Sequence, residues 1–273
     1  MIEELLRQGP VFILIAVRAL ALIETAPLLS SSAIPQVAKL ALAGFAAYAA
    51  FPAAGETLGA VAGDIPPYSL SFLLLVIGEG IIGLIMGFFL TIIFSAFATA
   101  GQFFSLQMGF GASETFDPLA QVENPLMGQY LNLVAMLVFL SMGGFQALFL
   151  EGFWHSLQSI SIMHLIAGRD AVMRMLLSSL SRLFLDAVII SMPILGTLFL
   201  ISLSTGLISK AAPQINILSE GFPIAITVAF VLIFATLPFM VEAFSRVVDA
   251  GFQTLETLYS RIGLQIPVFG ETP

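Results

Sequence analysis

A chain of 273 residues in which 59% are hydrophobic and only 10% charged is too apolar for a soluble domain, where about a quarter of residues are charged. Its mean hydropathy of +1.04 places it among integral membrane proteins. A formal charge of −8 argues against nucleic acid as a partner, and the lack of cysteine excludes a disulfide framework, an iron–sulfur cluster and a thiolate zinc site.

The opening Met1-Ile-Glu-Glu is acidic where a cleavable signal would be basic, so residue 1 is read as part of the mature chain. The first apolar segment, Pro10 to Leu29, is long enough to cross roughly 30 Å of hydrocarbon as a helix. Arg18 and Glu24 lie inside it on different faces, so they are no obvious mutual pair. Arg18 reads either as a subunit contact or as a snorkelling side chain. Pro27 and Pro35 bracket a break around Ser30-Ser-Ser-Ala-Ile34.

The second segment, Val37 to Phe51, is rich in alanine and marginal for a crossing. A loop is expected from Gly55 to Pro67. The third segment, Ser69 to about Ala100, is longer than one crossing needs, which predicts tilt, a kink or projection beyond the membrane. Gly80, Gly83 and Gly87 share one face there, a small-residue stripe that lets another helix approach closely. Glu79 borders that seam, either as an incidental carboxylate at a wet helix end or as a polar contact between subunits.

Next comes Gln107-Met-Gly-Phe-Gly-Ala-Ser-Glu-Thr-Phe-Asp-Pro118, whose glycines and Asp-Pro favour turns over helix. Such a break between apolar helices must be sheltered by protein or face water, because lipid cannot satisfy open backbone groups. It reads as a functional constriction or as an ordinary interhelical loop. Segment four is Leu126 to Phe149, and segment five runs from about Met175 to Ser209 with a kink expected near Pro193. Between them stand the basic residues Arg169 and Arg174, and both histidines. Segment six covers Phe222 to Val241. From Glu242 to Gly263 a 3.6-residue apolar pattern (Phe244, Val248, Phe252, Leu255, Tyr259) predicts an amphipathic helical tail. If all six segments cross, Arg7, Arg169, Arg174, Arg182, Arg246 and Arg261 face Lys39 and Lys210, and the positive-inside rule puts both termini in the cytoplasm.

Residues with catalytic chemistry do not gather. His155 and His164 fall on opposite sides of a helix and form no metal pair, and no HExxH is present. Glu3-Glu4, Gly63-Asp64 and Ser204-Thr-Gly206 each lack the partners that a protease or hydrolase site needs. No catalytic residue and no cofactor is assigned.

Several stretches, in order, resemble the FliR family of flagellar type III export-gate subunits. They are Arg18 with Pro27 and Ile34-Pro35, and Gly78-Glu-Gly-Ile-Ile-Gly-Leu-Ile-Met-Gly-Phe88. Leu106-Gln-Met-Gly-Phe110 follows, leading to Phe116-Asp-Pro118 and Asn124-Pro125. Then come Leu131 to Phe139 and Gly143-Gly144, and finally Thr205-Gly-Leu-Ile-Ser-Lys-Ala-Ala-Pro-Gln-Ile-Asn216 and Gly221-Phe-Pro223. The T-type subunit of virulence injectisomes is the nearest competitor, and a small-molecule transporter a more distant one. Two departures stand out: Lys210 where the family more often has Arg, and Gly143-Gly144 where many relatives have Asn-Gly-His.

The resemblance implies an all-α membrane-complex subunit with about six long apolar helices. A FliP-like part (1–174) would precede a FliQ-like helical hairpin and tail (175–273). It implies assembly with FliP-like and FliQ-like subunits and FlhB in the bacterial inner membrane at the flagellar basal body. Unfolded flagellar proteins would pass through the channel without enzymatic activity in this subunit. The family's channel plug matches Leu106, Gln107, Met108, Gly109, Phe110, Gly111, Ala112, Ser113, Phe116, Asp117 and Pro118. Subunit or helix packing falls to Arg18, Glu79, Gly80, Gly83, Gly87, Lys210, Pro213, Gln214 and Asn216.

Overall fold

The structure, a computed structural model, describes residues 2–62, 65–66, 69–109, 126–211 and 217–263. Every regular element among them is helical. Six helices are long: α1 (Ile2–Thr25), α2 (Gln36–Ala62), α3 (Leu70–Gln107), α4 (Leu126–Ser141), α7 (Arg169–Ala211) and α8 (Ile217–Gly263). Between α4 and α7 lie α5 (Gly144–Ser159) and the single-turn-and-a-half α6 (Ile162–Ala167). The all-α expectation holds, with about the expected number of long apolar helices.

The boundaries differ from the sequence reading in instructive ways. α2 continues to Ala62, through glycines at 55 and 59 that sequence reasoning took as loop. A glycine inside a helix costs only about 1 kcal/mol against alanine, which neighbouring helical residues offset. The fourth segment breaks at Met142-Gly143, where Gly143 has φ 73°, a left-handed conformation that glycine adopts without a Cβ clash. Segment six and its amphipathic tail are one helix of 47 residues that runs through Pro238. The fall in hydropathy after Val241 is not accompanied by a break in the helix. α7 likewise runs on through Pro193, and the Thr197 hydroxyl donates to the Pro193 carbonyl at 2.9 Å.

Four described helices, α1, α3, α7 and α8, are long and apolar enough to cross a membrane, or five spans if the broken pair α4–α5 counts as one. The six-crossing expectation also counted the alanine-rich α2, Gln36–Ala62, as a span. Lys39, counted there as a loop charge, is 3% exposed and donates to Glu24 at 3.0 Å and to the Ser30 carbonyl at 3.2 Å. It ties the α1–α2 turn together instead of facing headgroups.

The chain forms two compact units, and α3, α7 and α8 contribute to both. One comprises residues 1–92, 143–179 and 249–273; the other 93–142 and 180–248. In the first, α1 packs along α2, with Leu14, Ile15, Leu22 and Ile23 fully buried. In the second, Phe94, Phe97, Phe139 and Phe244 meet edge-to-face with centroids 4.6–5.4 Å apart, the arrangement favoured by the aromatic quadrupole.

Candidate functional site

The first unit is built around a buried charge. Arg18, on α1, is completely buried, which would be prohibitive for an unpaired cation. Its guanidinium is held on three sides. Nε donates to Glu79 Oε2 at 2.5 Å, Nη1 to Ser156 Oγ at 3.2 Å, and Nη2 to the Ile160 carbonyl at 2.9 Å. Glu79 comes from α3, Ser156 from the end of α5, and Ile160 from the junction before α6. Glu79 is itself 3% exposed. Neither residue is at a wet helix end, and neither snorkels. They pair within one chain and tie α1, α3 and α5 together.

The glycine stripe of α3 explains how α1 comes so close. A Cβ on Gly83 would collide with the Arg18 carbonyl oxygen and lie 2.9 Å from the Ala21 Cβ and 3.1 Å from the Leu22 amide. One on Gly87 would strike the Thr25 hydroxyl and sit 2.9 Å from the Leu22 carbonyl. Gly80 is looser, with Val17 at an ordinary 3.6 Å. Where the backbones touch, Thr91 Oγ1 donates to the Thr25 carbonyl at 2.8 Å. The close approach is what brings the short carboxylate arm of Glu79 within reach of Arg18.

The candidate plug begins in the second unit. α3 ends at Gln107, and Gly109, with φ 86°, provides the stop: its amide donates to the Leu106 carbonyl at 3.1 Å, the inner bond of a Schellman cap. Leu106 is exposed, Gln107 is partly so, and Met108 is completely buried. A Cβ on Gly101 would lie 2.5 Å from the Met127 carbonyl and 2.7 Å from the Gly128 Cα. The last turns of α3 and the first turn of α4 therefore meet backbone to backbone. Phe110, Gly111, Ala112, Ser113, Phe116, Asp117 and Pro118 lie outside the described residues, as do Pro213, Gln214 and Asn216. Lys210 stands in the last turn of α7.

Sequence reasoning did not find Ser156, the Ile160 carbonyl or Tyr259. Tyr259, on α8, is buried and directs its hydroxyl to the Gly152 carbonyl of α5 at 3.4 Å. Its separation from that partner is 107 residues, and its place in an apolar helical pattern gave no local sign of a polar role. Among the described residues no group of three or more His, Asp or Glu side chains is placed to hold a metal ion.

The model of the bacterial export proteins, family 1, matches residues 10–251. That interval contains the Arg18 cluster, the glycine stripe and both stems of the candidate plug. The chain belongs to this family. It is similar to the flagellar biosynthetic protein FliR of Borreliella burgdorferi, with 34% identity over 71% of this chain and 73% of the relative. It is 30% identical to the FliR of Escherichia coli K12 over 90% of this chain and 92% of that one. With the FliR of Bacillus subtilis it shares 28% identity over 93% of this chain and 96% of the relative. FliR-family membership thus rests on nearly the whole chain and not on one motif.

Proposed function

We propose that this chain is a core subunit of the flagellar type III protein export gate, helping to form and close the channel through which unfolded flagellar proteins cross the bacterial inner membrane. The family match over residues 10–251 carries this reading, and the four long apolar helices suit a membrane-embedded component of the flagellar apparatus. The subunit acts without chemistry of its own and needs no cofactor. It assembles with FliP-like and FliQ-like subunits and FlhB, residues 1–174 corresponding to the FliP-like part and 175–273 to the FliQ-like hairpin and tail. Lys210, Pro213, Gln214 and Asn216 serve packing at the hairpin's turn.

The plug spans 106–118. Its stems are pinned where Gly101 meets Gly128. Phe110 and Phe116 supply bulk to fill a narrow lumen, while Met108 anchors the near end by burial. Deleting 110–116 tests this, because it spares both the buried Met108 and the Gly109 helix stop. The assembled complex is expected to form and to leak ions or small solutes across the membrane. A complex that assembles and stays as tight as the parent overturns the plug.

A further inference from the structure

α6 has little to hold it in place. It has six residues, none of them buried, and a helix that short is not stable alone in water. Its support lies at its N-terminus. Ile160, just before it, is buried and its carbonyl is taken by Arg18. The Ile162 side chain fills the place of a Cβ on Gly78 of α3: a methyl there would collide with Cδ1 and lie 2.7 Å from Cγ1. Between these contacts Ser161 and His164 close a capping box. The Ser161 hydroxyl oxygen accepts from the His164 amide at 3.5 Å. In return His164 Nδ1 accepts from the Ser161 amide at 3.2 Å and from the Ser161 hydroxyl at 2.7 Å. The far position of such a box ordinarily holds Glu or Gln. Histidine can fill it only as the neutral tautomer that carries its proton on Nε2 and leaves Nδ1 free to accept.

We propose that this capping box is a pH-sensitive latch. It holds α6 and its Ile162 against Gly78 while His164 is neutral, and lets residues 161–167 go when His164 takes up a proton. Histidine is the side chain whose charge ordinarily changes between about pH 5 and 8. Protonation at Nδ1 orphans the Ser161 amide, because Nδ1 can then only donate. It also sets a cation among the unsatisfied amides of a first helical turn, where positive charge is unfavourable. The proton therefore binds the released segment more tightly than the capped one, and by linkage it favours release. α6 is most protected in neutral solution and loses protection as the pH falls. The surrounding charges are committed elsewhere. Glu79, next to Gly78 on α3, is held by Arg18 of α1, and Glu24 of α1 by Lys39 of α2. Asp170 faces Arg169 at 3.7 Å at the exposed start of α7, and Glu151 and His155 on α5 are exposed. Among the described residues no carboxylate forms an ion pair with the His164 ring. Release stops at Gly168, whose carbonyl accepts from the Ala171 and Val172 amides at 2.8 and 3.1 Å and so starts α7 independently. Every contact of the latch lies within the first compact unit, and none of it rests on the proposed export function.

Amide hydrogen exchange on the full chain tests the latch, each rate taken relative to the intrinsic rate at the same pH. Between about pH 7.5 and about pH 5.5, either side of an ordinary histidine's titration, protection over 161–168 should fall. The expected fall is about threefold to tenfold, the scale of one hydrogen bond and one unfavourable first-turn charge. His164→Gln keeps an acceptor that does not titrate, so its protection should not change between the two values. His164→Ala removes the acceptor and should show the parent's low-pH exchange at both. Constant protection in the parent, or a fall in the Gln variant as large as the parent's, overturns the latch. So does an equal loss across α1 and α2, which would mean general loosening by acid. Should the Gln variant fail to fold, the Ala variant decides in its place. Protection lower than the parent's at about pH 7.5 and constant with pH supports the latch; protection equal to the parent's at both values overturns it.

Discussion

At the scale of single residues, the informative feature is an arginine buried among helices where hydropathy alone would place only apolar side chains. A buried ion pair is weak evidence for stability, because desolvation offsets most of the attraction. Its value lies in direction: Arg18 can be satisfied only if Glu79, Ser156 and the Ile160 carbonyl arrive together. Glu79→Ala, which strands the cation, should lower stability in detergent unfolding by about 3–5 kcal/mol. The double variant Arg18→Met, Glu79→Leu should recover most of that loss. A double variant as unstable as the single would show that the charges themselves hold the unit together. Sequence reading picked out Arg18 and Glu79, and it correctly declined to pair Arg18 with Glu24, which binds Lys39 instead. It had no way to pair Arg18 with Glu79, 61 residues away. Helical periodicity says which face a side chain occupies but not which helix comes to meet it.

At the scale of elements, the glycine stripe of α3 sets the distance between helices, and its members are not equivalent. Gly83 meets backbone atoms of α1, which cannot rotate away, whereas Gly80 faces a valine at van der Waals contact. Gly83→Ala is therefore expected to cost about 1–3 kcal/mol as an overpacked contact and to part α1 from α3. Gly80→Ala should be neutral or slightly stabilising, because alanine is the better helix former by about 1 kcal/mol. Thermal melts in detergent compare the two, and equal losses at both positions would contradict the close approach. The stripe was readable because small residues at helical spacing have few other uses in apolar segments. The ends of the elements were less readable. Gly55 and Gly59 lie within α2, Pro238 within α8, and the true break fell at Gly143. Glycine and proline lower the stability of a helix locally, and tertiary packing decides whether it stops there.

At the scale of the molecule, most of the apolar surface of α7 is still uncovered within the chain: Phe184, Leu185, Met192, Phe199, Leu200 and Leu203 are each more than half exposed. Lipid or another protein must cover that surface, and the two differ in what they tolerate. Lipid tails adapt to an added side chain, whereas a helix packed against small residues does not. Gly206 discriminates between them. Among the described residues nothing lies within 4 Å of a Cβ placed there, and it stands one turn from Lys210, which the FliR likeness assigns to packing. If the hairpin docks on partner subunits through this turn, Gly206→Leu should leave the isolated chain about as stable in detergent as the parent, since no described atom of its own protein crowds the Cβ position. Co-purification with FliP-like and FliQ-like partners should fall several-fold, because the added isobutyl group must displace a neighbouring helix. Full assembly with the variant would mean that lipid covers this face. The docking surface would then have to be sought elsewhere on the chain, with the exposed face of α2 around Phe45 and Tyr48 the next to be substituted.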